Sequence, residues 1–248
     1  WRWRNGLRLA PFFLISAAAS GWTIWEQKCH SGALGAEWAQ SGSERLVIAG
    51  KVMWFYLGKL LWPHPLIFIY PRWTINASQL TAYLPVLAGA IGLLVLWWNR
   101  NRRMGPLFFG FAYFLVSLFP VLGFFNVYFF RYSFVGDHFQ YLAGIGPLAL
   151  GAAGLATAIG CLGNRRWFLE PALGVTLLLL LGVLSWRQTW NYTDNKTLWQ
   201  ETIARNPNAY MAHGNLGWVF LEQGQVDDAL THFQKALELR PNDAMAHN

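Results

Sequence analysis

Arg131, Asp137 and His138 stand close together in the run Arg131-Tyr132-Ser133-Phe134-Val135-Gly136-Asp137-His138-Phe139-Gln140-Tyr141-Leu142, at the edge of a long apolar stretch. Ionisable groups at membrane depth are costly, so they mark sites of function more often than chance. A transfer from a lipid phosphate needs a cation for the phosphate and, in many cases, a carboxylate for the acceptor hydroxyl. This run offers both: Arg131 and His138 to hold a phosphate, Asp137 to orient them. The plainer alternative is a local Arg131 to Asp137 ion pair that sets loop geometry. A second run, Trp62-Pro63-His64-Pro65-Leu66 followed by Tyr70-Pro71-Arg72-Trp73, places Arg72 and His64 within reach of a phosphate. Its alternative is an aromatic belt at the headgroup level.

The elements that position these residues follow from hydropathy. Hydrophobic residues make up 54% of the 248-residue chain and charged residues 12%, about half the usual charged share, which defines a membrane protein. Apolar runs long enough to cross a bilayer as helix, about 17 to 25 residues, occur at 9–25, 80–98, 105–125, 139–162 and 167–186, with Glu170 the one charge inside them. A further run, Leu46 to Trp62, carries Lys51 and Lys59 and follows Glu44 and Arg45. At about 100° per residue these four charges share one face, the pattern of a helix lying in the headgroup plane.

Charge placement supports five spans. The N-terminal arginines Arg2, Arg4 and Arg8, the turn with Arg100, Arg102 and Arg103, and the turn with Arg165 and Arg166 then share one side, as the positive-inside rule requires. The loops 26–79 and 126–138 and everything after the last span face the non-cytoplasmic side. The net charge of +7 divides into fourteen basic against five acidic residues before Arg187 and five against seven from there on. The basic excess is therefore topological, and no nucleic-acid partner is expected. Cys29 and Cys161 form no disulfide or metal-ligand pattern. The chain opens on Trp1, without a methionine, and is expected to be a piece of a longer protein.

After a linker at 187–207, in which Asp194 can cap a helix running to about Arg205, the residues Leu216, Gly217, Phe220, Gly224, Ala229, Phe233, Ala236 and Pro241 fall where a 34-residue tetratricopeptide repeat packs two antiparallel helices. The unit spans 208–241. Pro207, Asn208, Met211, Ala212 and His213 recur one period later as Pro241, Asn242, Met245, Ala246 and His247, so 242–248 begins a further repeat. Trp199 and Ile203 align with Phe233 and Leu237, which makes the linker the second helix of a degenerate repeat. The fold class is all-α: a polytopic helical membrane domain at 1–186, followed by a repeat solenoid.

Spans, the loop KLLWPHPLIFIYPRW, the junction FVGDHFQYLAGIGPLAL and trailing repeats together resemble the transmembrane and tetratricopeptide repeat family of protein O-mannosyltransferases and its bacterial relatives. The resemblance implies a C-type glycosyltransferase fold, a polyprenyl-phosphate-linked sugar as donor, a protein hydroxyl as acceptor and repeats that bind protein or peptide. Animal members have an acidic residue followed by Arg, then a Tyr-Leu-Pro step, where this chain has Asp137-His138 and Tyr141-Leu142-Ala143, which fits a bacterial relative in an inner membrane with periplasmic repeats. The family's catalytic acidic pair is expected upstream of Trp1. Arg131, Asp137, His138, Arg72 and His64 are then donor-phosphate residues rather than the base. The competing function is a membrane-anchored scaffold whose repeats recruit an envelope partner. Five spans and a long tryptophan-rich loop exceed what an anchor requires. A transporter is disfavoured by the shortage of ionisable residues in the spans.

Overall fold

The computed structural model describes residues 3–33, 35–161 and 166–241. Arg2, Arg165 and the further repeat expected at 242–248 lie outside the described residues. Every described element is helical. In chain order these are α1 (Trp3–Cys29), α2 (Gly42–Leu61), α3 (Leu84–Trp98), α4 (Gly105–Leu118), α5 (Tyr141–Gly160), α6 (Arg166–Thr189), α7 (Asn195–Arg205), α8 (Tyr210–Glu222) and α9 (Val226–Leu239), with short 3-10 turns between them.

Among the described residues, three segments are long and apolar enough to cross a membrane: Leu80–Trp98, Asp137–Gly160 and Phe168–Tyr192. Gly105–Val121 is apolar but shorter. Its α-helix ends at Leu118 and a 3-10 turn, Phe119–Val121, closes it four residues before the expected end at 125, because Pro120 removes a backbone donor. The last apolar helix runs past the expected 186 to Thr189, since no proline or glycine follows Trp186 within it. Leu177, Leu178, Leu179, Leu180 and Leu181 on α6 are all exposed. In water such a face would be a large apolar liability; in lipid it is the ordinary exterior. α1 presents Phe12, Phe13, Leu14 and Ile15 in the same way.

α4 and α5 pack backbone to backbone. A Cβ on Gly146 would lie 2.7 Å from the Gly110 carbonyl oxygen and 2.9 Å from Tyr113 Cδ1, so a small residue is what permits the approach.

α2 starts from a capping box: Ser41 Oγ accepts from the Glu44 amide at 3.3 Å, and Glu44 Oε2 accepts from the Ser41 amide at 2.7 Å. Its apolar face buries Ile48, Val52, Met53 and Tyr56 against Phe114, Leu118, Phe134 and Ala143. The charged face expected in the headgroup plane is the one over which the loops fold. Arg45 donates to the carbonyls of Gly123 (2.8 Å), Phe124 (3.1 Å) and Trp38 (3.0 Å) and to Asn126 Oδ1 (2.8 Å). Lys59 donates to the Pro65 carbonyl and lies over the rings of Phe55 and Tyr70. Five donors in a rigid fork suit a site ringed by carbonyls, so Arg45 clamps the loops together.

α7, α8 and α9 form the repeat module. Asp194 caps α7, its Oδ1 accepting from the Thr197 amide at 2.9 Å. α8 and α9 are joined by a turn in which Gly224 takes φ +74°, a conformation open to glycine at little cost. Trp199, Ala212, Leu216, Phe220 and Ala229 share one core, and Phe233 packs against it.

Candidate functional site

The repeats are docked on the first loop rather than tethered to it. Ile69, 2% exposed, inserts into the repeat core beside Trp199, Ala209 and Leu216. Asn206, 4% exposed, donates to the Ile69 carbonyl at 3.1 Å, and Arg205 donates to the Leu66 carbonyl at 2.7 Å. Phe68 meets Trp199 edge to face at 5.4 Å. Prolines at 63, 65 and 71 keep this segment out of helix, leaving its carbonyls free for side-chain donors.

That seam forms one side of a half-open cavity of about 280 Å³. Arg72 reaches it from the first loop, Arg131 from the loop before α5, and Arg240 and Tyr210 from the repeat, with Glu37 as its carboxylate. Three guanidinium groups against one carboxylate leave a net charge of +2. Arg131 Nη1 donates to the Tyr128 hydroxyl at 2.7 Å, and its guanidinium lies over the rings of Tyr128 and Tyr132 at 5.1 and 5.4 Å. Arg72 Nη2 donates to the Glu37 carbonyl at 2.6 Å, and the group lies 5.0 Å from the centre of the Phe134 ring. Burial pushes the Arg72 guanidinium down from its ordinary value, against the opposing pull of Glu37. Arg131 Nε and Glu37 Oε2 face each other at 3.7 Å, both buried and neither hydrogen-bonded. The arrangement is a partly dehydrated basic recess with donors in excess, suited to an anion such as phosphate.

Two of the five residues expected to hold a phosphate meet here, Arg72 and Arg131. The other three do not line the cavity. Asp137 Oδ1 accepts from the Tyr70 hydroxyl at 2.8 Å, tying the start of α5 to the first loop. The expected contact of Asp137 with Arg131 is replaced: Arg131 pairs with Glu37 and Asp137 with Tyr70. The reason is local geometry. Arg131 ends a 3-10 turn, Tyr128–Arg131, and Gly136 between the two is pinned by the Tyr56 hydroxyl, which accepts from its amide and donates to its carbonyl, both at 3.0 Å. Burial and the neighbouring Asp137 push the Tyr70 phenol up, which keeps it a donor. His138 packs between Phe129 and Phe139, at 5.7 and 4.1 Å between ring centres, and His64 is exposed. No cluster of three metal-ligating side chains occurs among the described residues.

Sequence reasoning missed Glu37, Tyr210 and Arg240. A carboxylate next to Trp38 in a loop otherwise poor in acid was the available signal for Glu37. Arg240 had none, since the last helix of a repeat ends on a polar residue in any case.

Fold and seam define a helical membrane protein with a tetratricopeptide module docked on its loops. The tetratricopeptide repeat family matches residues 210–243. The protein O-mannosyl-transferase Tmtc2 of Drosophila melanogaster is 31% identical over 129 residues, which is 52% of this chain and 13% of that protein's length. The resemblance drawn from the loop and repeat motifs is thereby borne out: the chain carries a tetratricopeptide repeat and is similar to a protein O-mannosyl-transferase. No solved structure matches it.

Proposed function

We propose that this chain is part of a membrane glycosyltransferase that moves a sugar from a polyprenyl-phosphate donor to protein hydroxyls on the non-cytoplasmic face, in a bacterial inner membrane with the repeats in the periplasm. The observation that carries the reading is the convergence of Arg72 and Arg131 on one half-buried cavity, in a chain similar to a protein O-mannosyl-transferase. The two arginines hold the donor phosphate and stabilise it as it leaves, since a guanidinium fork matches phosphate oxygens in geometry and charge. Asp137, withdrawn to Tyr70, sets the height of the first loop above α5. His138 and His64 stand outside this role. The repeats receive the acceptor protein.

The test is transfer by the full-length protein in vesicles containing polyprenyl-phosphate sugars, with a serine- and threonine-rich acceptor. Arg131→Ala should lower transfer through weaker donor binding while leaving acceptor capture by the repeats intact. If no lipid-linked sugar is transferred or bound, and the repeats still capture a protein, the chain is a scaffold.

A further inference from the structure

Arg240 belongs to the repeat by position but to the cavity by contact. It is the C-cap residue that follows α9. Its Nη2 lies 2.8 Å from Glu37 Oε1, its Nη1 donates to the Tyr210 hydroxyl, and its guanidinium lies over the Tyr210 ring. Tyr210 in turn packs on Tyr132, next to Arg131, at 5.6 Å between ring centres. The wall of the cavity opposite the membrane loops is thus made by the two ends of the repeat, the start of α8 and the end of α9.

We infer that the repeat is a structural part of the phosphate site: Arg240 supplies its third cation, and Glu37 is the internal anion that an incoming phosphate displaces from it. This rests on the proposed reading of the cavity as the donor site. Three observations support it. The carboxylate already bridges Arg240 and Arg131, at 2.8 and 3.7 Å, the place an anion must take to contact both. Its second oxygen and Arg131 Nε are buried without a hydrogen bond, so the internal pair leaves bonding capacity unused. The polyprenyl phosphate released by sugar transfer is a monoester with about −1.5 to −2 charges and three acceptor oxygens, which matches the +2 of the recess with Glu37 counted. The consequence is regulatory. Docking of the repeat and occupancy of the donor site share Arg240, so each biases the other by the same factor.

The experiment measures binding of farnesyl phosphate and of inorganic phosphate to the full chain in detergent. The variants are Arg72→Ala, Arg131→Ala, Arg240→Ala and the pair Glu37→Gln with Glu37→Gln/Arg240→Gln. Arg240→Ala and Arg131→Ala should each weaken farnesyl phosphate about tenfold or more. Glu37→Gln should tighten it. Because Arg240→Ala leaves Glu37 unpaired and could loosen docking, the double variant decides: it removes both charges together, and protease resistance of the tail reports that the repeat stays in place. A double variant that binds like Glu37→Gln overturns the role of Arg240, while weakening by Arg72→Ala and Arg131→Ala keeps the donor reading. Loss of no affinity in any of the arginine variants overturns both. Inorganic phosphate bound as tightly as farnesyl phosphate, with the same loss in Arg240→Ala, supports the three-cation site but assigns it to free phosphate instead of a lipid donor.

Discussion

Glu37 Oε1 and Arg240 Nη2 lie 2.8 Å apart, joining the first loop of the membrane domain to the C-cap of the repeat's second helix. Their side chains are 29% and 20% exposed, and a pair this open to solvent contributes up to about 1 kcal/mol. The pair reports docking more than it causes it. Ile69 and Asn206, both nearly inaccessible, hold the seam more strongly. Asn206→Ala leaves the Ile69 carbonyl without its donor in a buried seam, at a cost of about 1 to 3 kcal/mol. Limited proteolysis should then cut between α6 and α8 faster than in the wild type while the apolar helices stay inserted. Unchanged cleavage would mean that the seam is held elsewhere.

Gly217 sets the approach of α8 to α9. A Cβ there would lie 2.7 Å from Phe233 Cε1 and 2.8 Å from Cδ1, closer than side-chain contacts allow. Gly217→Leu should therefore destabilise the repeat by about 1 to 3 kcal/mol or more through overpacking. Protease resistance of the tail tests this, with Phe233→Ala in the same chain expected to restore part of the loss.

The repeat should loosen in acid. His213 Nε2 lies 3.1 Å from the Pro207 carbonyl, which can only accept, so Nε2 carries the proton and Nδ1 is left to accept from His232 Nδ1 at 3.1 Å. Burial lowers both histidines from the ordinary value of 6.5; on His213 the Pro207 carbonyl opposes this and Lys235 adds to it, and on His232 the effect of His213 is opposed by Asp228. With folded values below the unfolded one, the unfolded chain binds more protons in the interval between them. The contribution is thus fully present above pH 6.5 and is lost as pH falls below it. Thermal unfolding of the tail followed by proteolysis should show a lower midpoint at pH 5.5 than at pH 7.5. His232→Asn, which keeps a donor near the Nδ1 position but does not titrate, should flatten the difference.

Much of the fold was legible because it is written in local periodicities. Gly217, Phe233 and Pro241 act at spacings within one repeat, Asp194 caps the helix beside it, and the apolar runs need no partner to be seen. What was hidden is long-range pairing. Arg131 and Asp137 are near in sequence, and proximity alone suggests that they pair. In space, the 3-10 turn at Tyr128–Arg131 and the Tyr56 clamp on Gly136 send them to different neighbours, Glu37 and Tyr70. The charged face of α2 is visible as a pattern, and that pattern serves equally a headgroup layer and the folded loops that Arg45 holds. Arg72 and Arg131 stand out by residue type; their meeting in one cavity depends on where the repeat docks.

Topology can be tested with the chain's own cysteines. Cys29, at the end of α1, and Cys161, after α5, are both free and exposed. Five spans put Cys29 on the outside and Cys161 on the arginine side. In intact cells an impermeant maleimide should label a Cys161→Ser variant and spare a Cys29→Ser variant until the membrane is opened. The reverse pattern would place the cavity in the cytoplasm and end the glycosyltransferase proposal.

The most direct test of the donor site is the affinity of the full chain for a polyprenyl-phosphate hexose, compared with the Arg72→Gln/Arg131→Gln variant. Two charge-assisted contacts predict a loss of about a hundredfold or more in the variant, with the tail as protease-resistant as in the wild type. Equal affinity in the two proteins would contradict the assignment of this cavity to the donor phosphate.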